Sequence, residues 1–269
     1  MRTLVHLSDL HFGRVDDALV EPLLDAVATS RPDLVVVSGD LTQRAKAHEF
    51  EQARAFLDRL PAPRLVVPGN HDVPLYRIWE RFLSPLGKYQ RYIESELEPS
   101  FVDAEIAVLG INTARSLTFK NGRINEAQLG AISERLGRLP AALIRIVVTH
   151  HPFDLPAGAD ADELVGRAPA AMAAFAGCGV DLLLAGHFHT SHAVETSLRH
   201  PLPGYAALAV QAGTATSTRG RGEANSFNVL RVSNPTIVVE RQVWQPGSGV
   251  FTLEHSERFR REASRWLAG

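Results

Sequence analysis

The sequence predicts an α/β fold in which two β-sheets are flanked by helices. Short apolar runs rich in β-branched residues recur along the first two thirds of the chain, and stretches with helical spacing separate them. From Ala207 onward, strand-like runs follow one another directly. Alternating strands and helices are typical of parallel sheets, whereas consecutive strands are typical of antiparallel pairing.

The predicted strands of the first part are short and continuously apolar. They are Thr3–Leu7, Leu34–Val37, Leu65–Val67, Ile106–Gly110, Ile144–Val148 and Leu182–Ala185. These runs are too short for buried helices, and unbroken apolar character is expected of strands covered on both faces. We therefore expect them to form the interiors of sheets.

Helical spacing is clearest in two of the intervening segments. Apolar residues recur every three or four positions between Phe50 and Leu60, and Pro61 closes that stretch. A second helix is predicted to begin after Asn125, which can cap it, with Gln128 completing a capping box.

The segment Leu75–Leu97 also has helical character, which Pro85 and Gly87 should break. Its aromatic residues could cover a cleft or a partner surface, although packing in the core is their more common role. These residues are Tyr76, Trp79, Tyr89 and Tyr92.

The last part of the chain is predicted to be a meander that completes a second sheet, followed by a helix. The meander strands are Ala207–Ala212, Phe227–Val232 and Ile237–Val243. A surface helix is expected at about 254–267, because Phe259, Ala263, Trp266 and Leu267 recur at helical spacing. With no internal repeat and no linker, residues 1–269 are predicted to form one domain.

Composition and charge exclude several classes of protein. Hydrophobic residues make up 45% of the chain and charged residues 22%, which is the composition of a globular protein. The formal net charge of -2 argues against tight nucleic-acid binding. No apolar run approaches the ~18 residues that span a bilayer, and no signal-type start is present, so we expect no membrane association and a cytoplasmic protein.

The single cysteine, Cys178, excludes an intramolecular disulfide and any site built from several thiolates. Metal ligands in this chain must therefore be nitrogen and oxygen atoms.

Polar clusters follow five of the predicted strands. In open α/β sheets, ligands bind beyond the carboxyl ends of the strands, so the five clusters can converge on one crevice. The clusters are Ser8-Asp9-Leu10-His11, Ser38-Gly39-Asp40, Pro68-Gly69-Asn70-His71-Asp72, Thr149-His150-His151-Pro152 and Gly186-His187-Phe188-His189.

The chemical content of these clusters suits borderline divalent metals. It combines two carboxylates, one carboxamide oxygen and four imidazoles, more nitrogen than calcium or magnesium requires. If the chain is extended, Asp9 and His11 point the same way, as do His187 and His189, and each pair could reach one pocket. The predicted ligands are Asp9, His11, Asp40, Asn70, His150, His187 and His189.

This ordered set resembles the calcineurin-like metallophosphoesterase superfamily, with its DxH, GD, GNH[DE], later His and GHxH blocks. The resemblance implies a four-layer αββα sandwich of two mixed β-sheets, with a dinuclear metal site at the carboxyl ends of the strands. It implies two divalent ions, manganese, iron or zinc, with Asp40 bridging them. One ion would lie on Asp9, His11, Asp40 and His189, and the other on Asp40, Asn70, His150 and His187.

Such a site favours hydrolysis of a phosphate ester. Two ions about 3.5–4 Å apart can activate a bridging water, neutralise a phosphate and steady in-line attack. Besides Asp40, we expect His71 to act catalytically, by contacting a phosphoryl oxygen or by protonating the departing alkoxide. Asp72 would accept a hydrogen bond from the His71 imidazole, and Asn70 and His71 would contact substrate.

Two arginines are further candidates for substrate contact. Arg219 and Arg221 lie in the turn-rich segment Gly213–Phe227, which resembles the corresponding region of bacterial class III cyclic nucleotide phosphodiesterases. That resemblance implies hydrolysis of a small phosphodiester, with cyclic AMP as the first substrate to test.

Several alternatives stay open. Related enzymes hydrolyse glycerophosphodiesters or other phosphate esters, and the Ser8–Gly13 segment also resembles the opening of double-strand-break repair exonucleases. A non-catalytic scaffold, as in a retromer subunit, is a third reading. His151 is expected to be structural, because it points away from His150 in an extended chain. Assembly into a homodimer is a further open alternative.

Overall fold

The computed structural model describes residues 1–117, 121–155, 160–219 and 222–269. Two mixed β-sheets pack face to face, and helices cover the outer face of each. This arrangement confirms the predicted αββα sandwich. Among the described residues, no helix is both long and apolar enough to cross a membrane.

In the described residues, the first sheet has seven strands in the order β13-β12-β11-β10-β1-β2-β3. β1 lies at the junction between a parallel part, β1 to β3, and an antiparallel part, β10 to β13. The strands are β1 (Arg2–Leu7), β2 (Leu34–Ser38), β3 (Arg64–Val67), β10 (Ser226–Ser233), β11 (Thr236–Gln245), β12 (Val250–Glu262) and β13 (Arg265–Ala268).

The second sheet, as far as the structure describes the chain, has six strands in the order β4-β5-β6-β7-β9-β8. Its four central strands are parallel, and an antiparallel strand closes each edge. The strands are β4 (Ser100–Val102), β5 (Ile106–Gly110), β6 (Ile144–Val148), β7 (Leu182–Ala185), β8 (His192–Glu195) and β9 (Leu208–Gln211).

The described part of the chain contains six α-helices, which lie outside or beside these sheets. They are α1 (Val20–Thr29), α2 (Ala47–Leu57), α3 (Ile78–Leu83), α4 (Gly87–Tyr92), α5 (Glu126–Gly137) and α6 (Ala168–Cys178). The predicted capping box is present at α5, where Asn125 accepts from the backbone N–H of Gln128. The predicted break at Pro85 and Gly87 separates α3 from α4.

Alternate residues of each central strand face different apolar layers. In β1, Leu4 packs between the sheets, whereas Val5 and Leu7 face the layer under α1 and α2. A third layer lies between the second sheet and helices α5 and α6. These strands are therefore buried on both faces, which explains their continuous apolar character.

The predicted meander is wrong in one respect. The run at Ala207–Ala212 forms β9, which joins the second sheet parallel to β7, whereas the later runs form β10 and β11 in the first sheet. The meander thus completes the first sheet, by adding β10 to the free side of β1. Local sequence pattern predicts strands but not the sheet that each strand enters.

The predicted C-terminal helix at 254–267 is also wrong, because β12 and β13 form a hairpin there. Arg261 lies opposite Trp266, so alternate residues place Phe259, Arg261 and Trp266 on one face. Because the chain turns at Ala263, the apolar residues before and after the turn are spaced along the sequence as they would be in a helix. Trp266 is 1% exposed and its indole N–H donates to Asp181 Oδ1 at 3.0 Å.

Replacing Trp266 by alanine should lower the free energy of unfolding by about 3–5 kcal/mol, since it leaves a cavity between the sheets. Urea denaturation measures this change. Leu253→Ala on β12 is the matched control, because Leu253 is exposed and its loss should cost less than about 0.5 kcal/mol. Equal effects of the two substitutions would contradict the burial of Trp266 between the sheets.

The expected core packing of the aromatic residues in Leu75–Leu97 is half right. Tyr89 is buried, with its hydroxyl donating to the Val66 carbonyl at 3.0 Å, and Tyr92 packs against the core. Tyr76 and Trp79, however, are 76% and 81% exposed. Helix α3 instead turns Arg81 inward, where the guanidinium donates to backbone carbonyls.

Candidate functional site

The five polar clusters meet at one edge of the sandwich. The loops after β1, β2 and β3 come from the first sheet, and those after β6 and β7 come from the second. Because parallel strands end at the same edge, the loops of both sheets converge there. The seven predicted ligands lie in these loops, at Asp9, His11, Asp40, Asn70, His150, His187 and His189.

The expectation that Asp9 and His11 point the same way, and likewise His187 and His189, requires an extended chain. The backbone of these loops is not extended, so that expectation has no basis. Five of the seven residues have positive φ, between 50° and 77°. This left-handed conformation is uncommon for residues with a Cβ, and it clusters at functional sites. This conformation directs the side chains of His187 and His189 apart. His189 turns toward Asp9, and His187 turns toward His150.

The first cluster contains Asp9, His11 and His189. The Nε2 atoms of the two histidines are 3.2 Å apart, and His189 Nε2 lies 3.1 Å from Asp9 Oδ1. His189 Nδ1 donates to the backbone oxygen of Arg219 at 3.0 Å, which leaves a lone pair on Nε2.

The second cluster contains Asn70, His150 and His187. Asn70 Oδ1 lies 3.0 Å from His150 Nε2 and 3.2 Å from His187 Nδ1. His150 Nδ1 donates to the Ser38 carbonyl at 2.8 Å, so its Nε2 also faces the cluster with a lone pair.

Asp40 lies between the two clusters. Its Oδ2 is 3.7 Å from His11 Nε2 in the first cluster, and its Oδ1 is 3.4 Å from His150 Nε2 in the second. The backbone N–H of His71 donates to Oδ1 at 2.8 Å and fixes the carboxylate. One side chain thus faces both groups of donors.

The donor set fits divalent metal ions. The Asp9 Oδ1 atom is buried and accepts no well-aligned hydrogen bond from the described residues, although His189 Nε2 and His11 Nε2 lie 3.1 and 3.5 Å away. Facing lone pairs repel one another unless a cation lies between them, and a buried unpaired carboxylate oxygen is costly. Imidazole nitrogen, carboxylate oxygen and amide oxygen together suit manganese, iron or zinc.

The charges of the site also favour the binding of metal ions. Burial alone would raise the pKa of Asp9, but His189, His11 and His150 hold that pKa well below its usual range. Burial opposes protonation of His150, yet Asp40 and Asp9 raise the pKa of this imidazole to about 9, so a bound metal ion would take the place of the proton on Nε2. The carboxylates are therefore ionised at neutral pH and attract positive charge.

Gly186 is required by the packing around Asp9. Asp9 Oδ2 accepts from the Ser8 hydroxyl at 2.6 Å and from the backbone N–H of His187 at 2.9 Å. A Cβ on Gly186 would lie 1.8 Å from Ser8 Oγ and 2.6 Å from Asp9 Oδ2. Any side chain there would displace the groups that orient Asp9.

We expect Gly186→Ala to weaken metal binding about 10–100-fold, because Asp9 would lose the contacts that orient it. Titration of the metal-free protein with manganese, followed by calorimetry, measures the change. Gly130→Ala is the matched control, since no atom lies within 4 Å of the new Cβ on helix α5. Wild-type affinity in Gly186→Ala would show that the loop relaxes without moving Asp9.

His71 lies at the mouth of the site and is oriented by a backbone carbonyl. Its Nδ1 lies 2.9 Å from the oxygen of Gln43, and its Nε2 lies 2.9 Å from Nη1 of Arg219. The predicted contact between Asp72 and this imidazole is therefore wrong. The two residues are neighbours in a 3-10 turn, which directs their side chains apart.

Asp72 instead joins the loops that follow β2 and β3. Its carboxylate accepts from the backbone N–H groups of Leu41, Thr42 and Gly69 and from the Thr42 hydroxyl, at 2.9 to 3.2 Å. Burial, together with the nearby Asp40 carboxylate, raises the pKa of Asp72. Asp72 holds the loops that carry Asp40 and Asn70.

His151 is closer to the site than the extended-chain argument predicts. Its ring centroid lies 4.8 Å from those of His150 and His187, and its Nδ1 lies 2.8 Å from the Thr113 hydroxyl. His151 thus packs directly behind two predicted ligands. The HHP sequence contains this neighbour, but only the turn after β6 brings it to the same side.

An open cavity of about 370 Å³ leads to the donors. Asp40, Asn70, His71 and Arg219 are among the residues that line it. Its volume is in the range of small-molecule sites. Arg219 therefore lies where a substrate contact was predicted, whereas Arg221 lies outside the described residues.

A two-sheet α/β fold with nitrogen and oxygen donors at its strand ends defines a class of metal-dependent hydrolases. Residues 2–191 match the Calcineurin-like phosphoesterase family, and the chain belongs to that family. The family depends on a dinuclear metal centre, and the chain is a hydrolytic phosphoesterase.

Two relatives are named as phosphodiesterases of different substrates. The chain is 28% identical over 264 residues to the cAMP/cGMP dual specificity phosphodiesterase MT0825 of Mycobacterium tuberculosis, covering 87% of this chain and 77% of that protein. It is 40% identical over 81 residues to the glycerophosphodiester phosphodiesterase GpdQ of Enterobacter lignolyticus, covering 26% of this chain and 29% of that protein.

Solved structures share the fold at low identity. A purple acid phosphatase from yellow lupin superposes with a TM-score of 0.71 at 12% identity, over 97% of this chain and 54% of that one. A dimetal phosphatase from Danio rerio superposes with a TM-score of 0.65 at 16% identity, over 89% of this chain and 95% of that one.

Proposed function

We propose that the chain hydrolyses phosphodiesters, and that 3',5'-cyclic nucleotides such as cyclic AMP are its leading substrate class. The observation that carries this proposal is the position of Asp40, which faces two groups of metal-type donors at the base of an open cavity. Such an arrangement suits charge neutralisation on phosphorus.

We further propose that residues 1–269 act as one domain and hold two divalent ions, of manganese, iron or zinc. Asp9, His11, Asp40 and His189 would hold one ion, and Asp40, Asn70, His150 and His187 the other. When bound, the two ions supply a water activated for attack and neutralise the phosphate. Both sheets contribute ligands to this site, which favours a single unit.

The chain's own residues at the cavity mouth would bind and orient the phosphate. The Arg219 guanidinium and the His71 imidazole are in contact, and both line the cavity with Asn70. A guanidinium at this place can pair with a phosphoryl oxygen. His71 Nε2 accepts from Arg219 in this structure, so once the guanidinium turns to the phosphate, a protonated Nε2 can contact the same group or donate its proton to the departing alkoxide.

A glycerophosphodiester is the second candidate substrate. It is favoured by the 40% identity to GpdQ, although that match covers only 81 residues. The match to the cyclic nucleotide enzyme extends over 264 residues, so it covers the segments that line the cavity as well as the metal loops. Substrate choice depends on such lining residues more than on the ligands.

The test is a comparison of rates with manganese added. Bis-p-nitrophenyl phosphate should be hydrolysed faster than p-nitrophenyl phosphate, and cyclic AMP should give the highest kcat/KM among cyclic AMP, glycerophosphocholine and single-stranded or duplex DNA. Preference for glycerophosphocholine would support the second candidate, and cleavage of DNA would indicate a nuclease. No turnover of any ester by the metal-loaded protein would support a binding scaffold.

A further inference from the structure

A second, larger cavity adjoins the one that leads to the metal-type donors. Its volume is about 650 Å³, and the two cavities share Arg44 and Leu75 in their walls. A ligand bound at the donors can therefore extend past Arg44 into this space. The polar lining of the second cavity is formed by Arg44, Lys46, His48, Tyr76, Arg77 and Lys88.

A buried carboxylate fixes the loop that presents two of these cations. Glu49 Oε2 accepts from the backbone N–H of Arg44 at 2.7 Å and from that of Lys46 at 3.3 Å. The intervening Ala45 has a φ of 52°, and its N–H donates to the Thr42 hydroxyl. The loop is held by its backbone, so the two basic side chains project outward from a fixed base.

Positive charge exceeds negative charge in this cavity. Arg77 and Lys88 both pair with the same carboxylate, that of Glu80. Lys46 Nζ lies 3.9 Å from Glu49, whose other oxygen is used by the loop backbone. The Arg44 guanidinium lies 5.8 Å from the centre of the Tyr76 ring, which holds it against the cavity wall.

Four cations thus face two carboxylates, in a chain whose formal net charge is -2. Surface charge of one sign beside a catalytic cleft concentrates oppositely charged ligands. The fixed loop and the shared wall make this a site continuous with the phosphoesterase cavity. Guanidinium and ammonium groups together are typical of phosphate recognition.

We propose that this second cavity binds a further phosphate group, so that between two otherwise identical nucleoside phosphodiesters the enzyme prefers the one that carries an additional phosphate. This inference rests on the proposed phosphodiesterase function and specifies its substrate class. The scissile phosphate occupies the donor cavity, and the second phosphate pairs with Arg44, Lys46 and Arg77.

A matched pair of chromogenic esters tests this assignment. The first is thymidine 5'-(p-nitrophenyl phosphate), and the second carries an additional 3'-phosphate. The second ester should have a kcat/KM about tenfold higher, as one charge-assisted phosphate contact supplies. In Lys46→Gln/Arg77→Gln the ratio should fall to about one, whereas Arg59→Gln, which removes a distant exposed charge, should keep the ratio of the wild type.

A binding measurement separates this inference from the proposed function. Calorimetry on the metal-loaded protein should show thymidine 3',5'-bisphosphate binding about tenfold more tightly than thymidine 5'-phosphate, and the double variant should lose that difference. This difference in affinity can be measured even if the protein hydrolyses neither ester. A ratio of one in the wild type, or one that the double variant retains, would overturn the inference.

The source of the second phosphate can be identified by varying the number of nucleotides in the substrate. If kcat/KM rises with the 3'-phosphate and no further when a second nucleotide is added to it, the substrate is a small phosphorylated nucleotide. A continued rise with each added nucleotide would identify the second phosphate as that of an oligonucleotide backbone.

Discussion

Replacing Asp40 by asparagine should lower kcat/KM for bis-p-nitrophenyl phosphate by about 10³-fold or more, in the range that follows loss of a central electrostatic group. Asparagine keeps the shape of the side chain and can still accept from the His71 N–H. It removes the negative charge that faces both donor clusters. The change therefore tests charge more than packing.

Metal analysis of the same variant should show less than two bound ions per chain, because both clusters lose an anionic donor. Asp25→Asn is the control, since Asp25 is an exposed residue on helix α1. Full metal content and wild-type turnover in Asp40→Asn would remove Asp40 from the site and contradict the shared position proposed for it.

His71→Ala should lower kcat by about 10²–10⁴-fold on substrates with a poor leaving group, while the bound metal is largely retained. The imidazole is held by the Gln43 carbonyl and contacts Arg219. It contributes its backbone N–H, and not its ring, to the Asp40 carboxylate. Removal of the ring should therefore spare the ligand geometry.

The two roles of His71 make different predictions for two leaving groups. If the imidazole donates a proton, His71→Ala should slow cyclic AMP hydrolysis much more than that of bis-p-nitrophenyl phosphate, since p-nitrophenolate departs without protonation. If it contacts a phosphoryl oxygen, the losses should be similar. Loss of both metal ions in His71→Ala would mean that His71 supports the ligands instead.

The fold was predictable wherever local pattern and tertiary environment agree. The run Leu34–Val37 is buried on both faces in β2, so its composition alone predicts a central strand. The hairpin that contains Phe259 and Trp266 was not predicted, because its turn spaces the apolar residues on either side as a helix would. The exposure of the aromatic residues around α3 was not predicted either, since a sequence does not show that Arg81 makes the buried contacts of this helix.

The chemistry of the site was more predictable than its contacts. Donor types at five strand ends predicted the convergence of Asp40, His150 and His187, because parallel strands bring their carboxyl ends together. The partners of these groups depend on turns with positive φ, which sequence spacing does not encode. For that reason the partners of Asp72 and the position of His151 became visible only in the structure.

The position of β1 between β2 and β10 has a consequence for the order in which the chain assembles during synthesis. The strand that precedes Asp9 is synthesised long before its neighbour β10, which spans Ser226–Ser233. A nascent chain can pair β1 with β2 early, whereas closure on the other side requires contacts of long sequence separation. One side of β1 therefore stays unpaired until β10 has been synthesised, and the donors around Asp9 come together only after the chain has been extended past His189.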